Sequence, residues 1–313
     1  MFKYSVLSVM LPELSVEEAA EALGRHGYDG VEWRVGARRQ RRPADFVVLP
    51  LGTPGSYTYW DSVRESILIE DLVREAPRLK KVSAANGLQI PSLATYITIG
   101  ESPNLRQEVE EVCKAAQIME CPQFRVRVPA FSQTESYTTI FDAAVREVEY
   151  LQELARRYGV RVIFETYGGG IAESPSLAHR LVSNFDPEHI GLLFDPGAMV
   201  VEGRQNWHYG IQLMSNYIAH VHVKNKGWVP SGEREDGSVL WECPYMPLDA
   251  GMLDWKLILH ELQSVDYRGF LSFEDYLPIT TEQKLGDNLW YMKGLERGLV
   301  ETPLTPEVIR SRA

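Results

Sequence analysis

A short apolar run followed by a longer amphipathic run, repeated along the whole chain, is the feature that most narrows what this sequence can fold into. Residues 4–10 read as a strand, and Ser15 then opens S-V-E-E, a hydroxyl followed by acids that suits a helix N-terminus; this helix extends to about Gly27. Asp29-Gly30 turns into a second strand at 31–34. Further strands are predicted at 88–93, 124–128, 160–165, 190–195, 218–223 and 270–274, with helices near 67–86, 104–119, 137–158, 174–184, 207–216, 253–264 and 281–298. Parallel strands need a crossover between them, usually a helix. Eight strands alternating with eight helices give the α/β count of a single (β/α)8 TIM barrel. The rival, a doubly wound sheet, more often opens on a glycine-rich turn, and no G-x-G-x-x-G occurs.

A barrel of roughly 250 residues or more fits one domain over 1–313. Two connections exceed simple loops: 36–62 after strand 2, with RRQRR and FVVLPLGTPGSYTYW, and 226–251 after strand 7, with Trp228, Trp241 and Tyr245. Long aromatic loops at the catalytic face serve as lids or, in the plainer reading, as contacts in a homo-oligomer. RRQRR reads as a solvated loop face or as phosphate capture, and 300–313 is expected to be a C-terminal extension. Hydrophobic content of 44% and charged content of 24% are ordinary for a globular chain. A net charge of -11 and a pI near 5.2 disfavour a surface that tracks phosphate backbones, so no nucleic acid partner is expected. No apolar run of about 18 residues occurs, so no membrane span is expected. The run after Lys3 meets Pro12 and Glu13 without a cleavage site. Cys113, Cys121 and Cys243, odd in number and without a C-x-x-C pair, fit a reducing, cytoplasmic setting.

The motif HVHVKN at 220–225 breaks the apolar rule of a core strand. His220, His222 and Lys224 share one side by the period of two, and that much buried polarity needs partners. Three other strands end on carboxylates: Glu165 in VIFETY, Asp195 in LLFDPGAM and Glu274 in LSFEDY. Spacings from Glu165 through Asp195 and His222 to Glu274 are 30, 27 and 52 residues, about one repeat each, the last enlarged by the strand 7 loop. A barrel brings consecutive strand ends to one rim, which makes these four a candidate metal site; unrelated salt bridges are the plainer reading. Three carboxylates and one imidazole favour Mn2+ or Mg2+, with Co2+ or Zn2+ compatible.

His220 falls one layer deeper than His222. Lys224 falls above it, suited to polarising an oxygen or holding an anion, unless it is a solvated rim lysine. Arg125 with Arg127, and Glu32 with Arg34, alternate with apolar residues; they project inward either as substrate contacts or as a salt-bridge network. Trp33, Tyr96, Trp228 and Trp241 offer an aromatic stacking wall or simple packing. Gly168 to Gly170 precede a helix whose N-H groups suit a phosphate, or they form a mobile loop; no Lys-Ser/Thr follows, so this is no nucleotide P-loop.

The order ETY, FDPGAM with EG shortly after, HVHVKN, then GMLDW before YRGFLSFED resembles the sugar phosphate isomerase/epimerase group of xylose-isomerase-like barrels over most of the chain. The resemblance implies one divalent metal on Glu165, Asp195, His222 and Glu274, with both glutamates also moving the substrate proton. Arg127, Tyr167, Asn225, Trp33 and Trp228 are the expected substrate contacts, and Lys224 joins the catalytic groups. Ketose 3-epimerases carry histidine where this chain has Ala198, and many relatives carry it at Tyr167, which points to a different substrate. The expected activity is isomerisation or epimerisation of a sugar or sugar-like polyol through an enediolate. The same apparatus could act as a lyase, dehydrating an inosose-like or dehydroshikimate-like substrate or cleaving an oxo-glycoside. A carbohydrate-binding or scaffold subunit is the non-enzymatic alternative.

Overall fold

The computed structural model describes residues 1–36, 64–132, 134–302, 304–305 and 307–309. The basic cluster and aromatic run after strand 2 lie outside the described residues.

Eight parallel strands form the frame: β1 (Lys3–Leu7), β2 (Gly30–Gly36), β3 (Leu93–Thr98), β4 (Gln123–Arg127), β5 (Arg161–Glu165), β6 (Ile190–Phe194), β7 (Ile218–Val223) and β8 (Phe270–Phe273). Each pairs with its successor, and β1 pairs with both β2 (Val6 beside Val31) and β8 (Val6 beside Phe273). The sheet therefore closes into a barrel. Among the described residues, eight longer helices follow the strands: α1 (Val16–His26), α2 (Ile69–Ala85), α3 (Leu105–Met119), α4 (Tyr137–Tyr158), α5 (Pro175–Val182), α6 (Trp207–Met214), α7 (Trp255–Ser264) and α8 (Thr281–Glu301). This is the (β/α)8 architecture.

Helix ends follow the local chemistry. Ser15 and Glu18 form a capping box on α1, Thr280 and Gln283 another on α8, and α1 stops at Gly27, which takes φ 78 in the left-handed region. Ser174 caps α5, with Pro175 in its first turn.

Alternation along the strands separates two layers. Tyr4, Val6, Val31, Trp33, Phe124, Val126, Val162, Phe164, Leu192, Phe194, Val221, Val223, Leu271 and Phe273 join the helices' apolar stripes in one cluster. Truncating one such aromatic residue costs about 3–5 kcal/mol. Their alternates include Ser5, Glu32, Arg125, Glu165, His220, His222 and Ser272, all buried and polar. The barrel interior thus mixes these polar groups with a few apolar ones, Leu7, Ala94, Ile163 and Leu193, within an apolar sleeve, and the polar groups carry the site.

Three boundaries differ from expectation. The third strand is Leu93–Thr98, not 88–93, because Pro91 has no N-H to give a ladder; only Gln89 bridges to Gly30 upstream. The first strand ends at Leu7 and a 3-10 turn takes Ser8–Met10. Helix α8 extends to Glu301, so the C-terminal extension begins later than 300. The connection after β7 is partly ordered as an antiparallel ribbon, Val229–Glu233 with Val239–Glu242, and Tyr245–Met246 pairs back onto Asn225–Lys226.

Candidate active site

Four consecutive strands deliver one candidate ligand each. Glu165 is the last residue of β5, and Asp195 follows β6 as the cap of a short helix, Pro196–Met199. His222 lies on β7 and Glu274 follows β8. Their ligand atoms all lie within 4.8 Å of one another, and all four residues are buried. His222 Nδ1 stands 3.3 Å from Glu274 Oε2, and 3.7 Å from both Glu165 Oε1 and Asp195 Oδ2.

Each carboxylate is fixed from outside the cluster. Arg125 donates from Nη1 to Glu165 Oε2 at 3.0 Å and from Nε to the Thr95 carbonyl at 3.1 Å. Asp195 Oδ1 accepts from the Ala198 amide at 2.9 Å, which leaves Oδ2 facing His222 and Lys224. The Tyr276 hydroxyl donates to Glu274 Oε1 at 2.7 Å. Lys224 is buried, not a solvated rim lysine, and its ammonium bridges Asp195 Oδ2 at 2.5 Å and Glu274 Oε2.

Burial opposes every charge here, so the charges persist only because they answer one another. Burial works against the Lys224 ammonium, yet Asp195 and Glu274 hold it well above the usual lysine range. Burial likewise opposes ionisation of Glu274, but Lys224 and His222 keep it well below the carboxylate range. His222 is raised against burial by Glu32 and Glu274. A divalent ion suits this donor set: His222 Nδ1 is buried without a hydrogen-bond partner, and it faces three carboxylates, a mostly hard oxygen site with one nitrogen.

Beneath the cluster, His220 and His222 both meet Glu32 of β2 through Nε2 at 3.0 Å, and Ser272 donates to the same oxygen at 2.8 Å. Glu32 is the site residue the strand pattern left undecided. Its signal was an acid alternating with Val31 and Trp33, the same two-residue rhythm as HVH. Tyr276, two residues past Glu274 in FEDY, had no such signal.

Arg127 lies at the opening, one-third exposed, with Nε 3.9 Å from Glu165 Oε2 and its guanidinium over the Tyr96 and Tyr167 rings. The Tyr167 hydroxyl is committed to the Val128 carbonyl at 2.7 Å. Tyr96 also stacks under Arg125, so it serves guanidinium groups where a stacking wall was one expectation.

The other expected substrate contacts have varied surroundings. Trp33 is 1% exposed on the helix side of β2, where Nε1 donates to Ser83 of α2 at 3.1 Å; the alternation that turns Glu32 inward turns Trp33 out. Asn225 is buried and spends its amide on the backbone, donating to the Leu248 and Leu253 carbonyls and accepting from the Leu253 amide, so it pins the loop. Trp228 donates to the Val200 carbonyl at 3.0 Å, and Trp241 is half exposed on the ribbon. The glycine run closes on itself: the Gly169 amide donates to Glu173 and the Gly170 amide to the Tyr167 carbonyl, leaving neither for a phosphate.

Among curated proteins, the chain is similar to inosose dehydratase of Geobacillus thermodenitrificans, 26% identical over 162 residues, covering 50% of this chain and 52% of that protein. The chain thus spans about half the length of the curated relatives it matches. Among solved structures, 3-keto-D-glucoside 4-epimerase from E. coli superposes with a TM-score of 0.67 at 15% identity, over 94% of this chain and 100% of that one. The IOLI protein with a binding zinc atom gives a TM-score of 0.67 at 14% identity, over 97% and 100%. At these identities the structural likeness is one of fold. The family model described as xylose isomerase-like TIM barrel matches residues 19–295, nearly the whole of the barrel just described, and the chain belongs to that family.

Proposed function

We propose that the chain is a divalent-metal-dependent isomerase or epimerase of a sugar or sugar-like polyol, with Glu165, Asp195, His222 and Glu274 as the metal ligands. The observation that carries this reading is the order of those ligands around the rim. Glu165 and Glu274 end the outer two of four consecutive strands, so a substrate above Asp195 and His222 has one glutamate towards each side. A divalent ion bound there, Mn2+ by the oxygen-rich donor set, with Mg2+, Co2+ or Zn2+ compatible, supplies Lewis acidity to a substrate carbonyl. Glu165, paired with Arg125, takes the proton from the adjacent carbon; Glu274, with Lys224 beside it, returns one from the other side. Arg127 holds a substrate oxygen at the opening.

A second reading is dehydration, and the inosose dehydratase relatives favour it. There Glu165 takes the α-proton as before, the β C-O bond breaks as the double bond forms, and the departing hydroxide takes a proton from Lys224 to leave as water. NMR in D2O of the metal-loaded protein against ketoses, inososes and oxo-glycosides separates the two. Deuterium entering the substrate without loss of water supports the first, and an unsaturated product supports the second. No exchange and no elimination across the panel would sink both. Glu165→Gln and Glu274→Gln are each expected to lower turnover by about 10²–10⁴-fold.

A further inference from the structure

His222 has two ring nitrogens, and only Nδ1 faces the three carboxylates. Nε2, across the ring, lies 3.0 Å from Glu32 Oε2. An ionised carboxylate only accepts hydrogen bonds, so Nε2 must carry a proton, and the nitrogen left for an ion is Nδ1. The same oxygen also takes His220 Nε2 at 3.0 Å and the Ser272 hydroxyl at 2.8 Å. Three donors converge on one fully buried carboxylate. Turning the His222 ring over would withdraw one of them and leave part of a buried charge unanswered.

We propose that Glu32 is a positioning residue: it holds His222 with Nε2 protonated and the ring plane fixed, making Nδ1 the metal ligand and setting how tightly the metal is held. This rests on the metal reading above. A carboxylate behind a ligating imidazole fixes its orientation and increases its basicity, and losing one typically costs 10–100-fold in metal affinity. His220 supports the arrangement from below. Its ring sits edge-on to His222 at 5.8 Å and 74°, and its own Nε2 bond holds Glu32 from a second direction.

The test uses the full chain, stripped of metal and reloaded. Zn2+ and Mn2+ affinities are measured by competition with a chromogenic chelator, and 15N-histidine NMR of the Zn2+-loaded protein reads which nitrogen of His222 carries the proton. The wild type is expected to show His222 protonated at Nε2 and ligated through Nδ1. Glu32→Gln keeps an accepting oxygen but loses the charge, and is expected to weaken both ions about tenfold with the ring unchanged. Glu32→Leu removes both and is expected to weaken them about a hundredfold, with the ring no longer held in one form. Ser272→Ala, which deletes only the third donor, is expected to change affinity less than either.

Zinc on Nε2 in the wild type would overturn the proposal. So would a Glu32→Leu chain that unfolds cooperatively and binds both ions as tightly as the wild type. Should Glu32→Leu fail to fold, the wild-type ring form and the Glu32→Gln affinity still decide. A wild type that binds neither ion overturns the metal reading itself, and the first titration shows that before any variant is made.

Discussion

A methyl group on Gly197 would stand 2.4 Å from Lys224 Cγ, far inside contact distance. The glycine of FDPGAM thus lets the Lys224 stem cross the short helix that Asp195 caps, bringing the ammonium to Asp195 and Glu274. Gly197→Ala is expected to push Lys224 aside and lower kcat/KM by about 100-fold while circular dichroism stays unchanged. Gly251 has the same relation to Asn225, whose Cγ would lie 2.1 Å from an added Cβ. The four candidate ligands could be grouped from the sequence because each lies at or just beside the C-terminal end of a strand and the barrel fixes where strand ends go. Asn225 was read as a substrate contact, and its hold on the loop was not legible, since its partners Leu248 and Leu253 come from a loop whose path no periodicity announces. Lys284, outside the site, supports a pH prediction. Burial depresses its pKa from 10.5 to about 8, against the pull of Asp275 and Glu13. Between those values the unfolded chain binds more protons than the folded one, so this lysine makes stability rise with pH across that window. The urea midpoint of the wild type should therefore gain on that of Lys284→Met between about pH 7.5 and about pH 9.5. A difference that stays flat would refute the assignment.

At the scale of elements, the ribbon after β7 stands apart from the barrel. Residues 230–242 are exposed, including Val239, Leu240 and half of Trp241, and the core cluster takes none of them. Segments with so little buried apolar contact add little to global stability. Replacing 230–241 by a short glycine-rich turn is expected to leave the thermal midpoint within about 3 °C, as read by calorimetry, whereas losing a core contact would move it further. The start of α1 was readable from its cap, Ser15, because hydroxyl capping is a local matter. The third strand was misplaced because an apolar run around Pro91 outweighed the missing N-H of that proline. The ribbon was read only as a long loop: Pro230, Gly232 and the charges at its tip hide a short antiparallel pair from any periodicity.

For the whole molecule, the repeat count was the most legible feature, since eight strand-helix units admit few arrangements other than a closed barrel. No described helix is long and apolar enough to cross a membrane. Under the proposed metal role, three carboxylates and one imidazole held this close would offer an ion a site that the unfolded chain lacks. Mass action then stabilises the fold by about 2.7 kcal/mol at a free ion concentration 100 times Kd. Adding Mn2+ is expected to raise the unfolding midpoint of the metal-stripped wild type, and much less that of Glu274→Gln; an equal shift in both would place the ion elsewhere. The Glu32–His222 bond joins residues 190 apart in sequence and ties the second strand to the seventh. Contacts of such span slow folding, because the entropy of closing the chain is lost before the contact rewards it. A chain still emerging during synthesis already carries Glu165 but not yet the imidazole or the last glutamate. The four candidate ligands therefore come together only once the barrel is complete, so under the proposed metal role an affinity measurement would also report that the ring has closed.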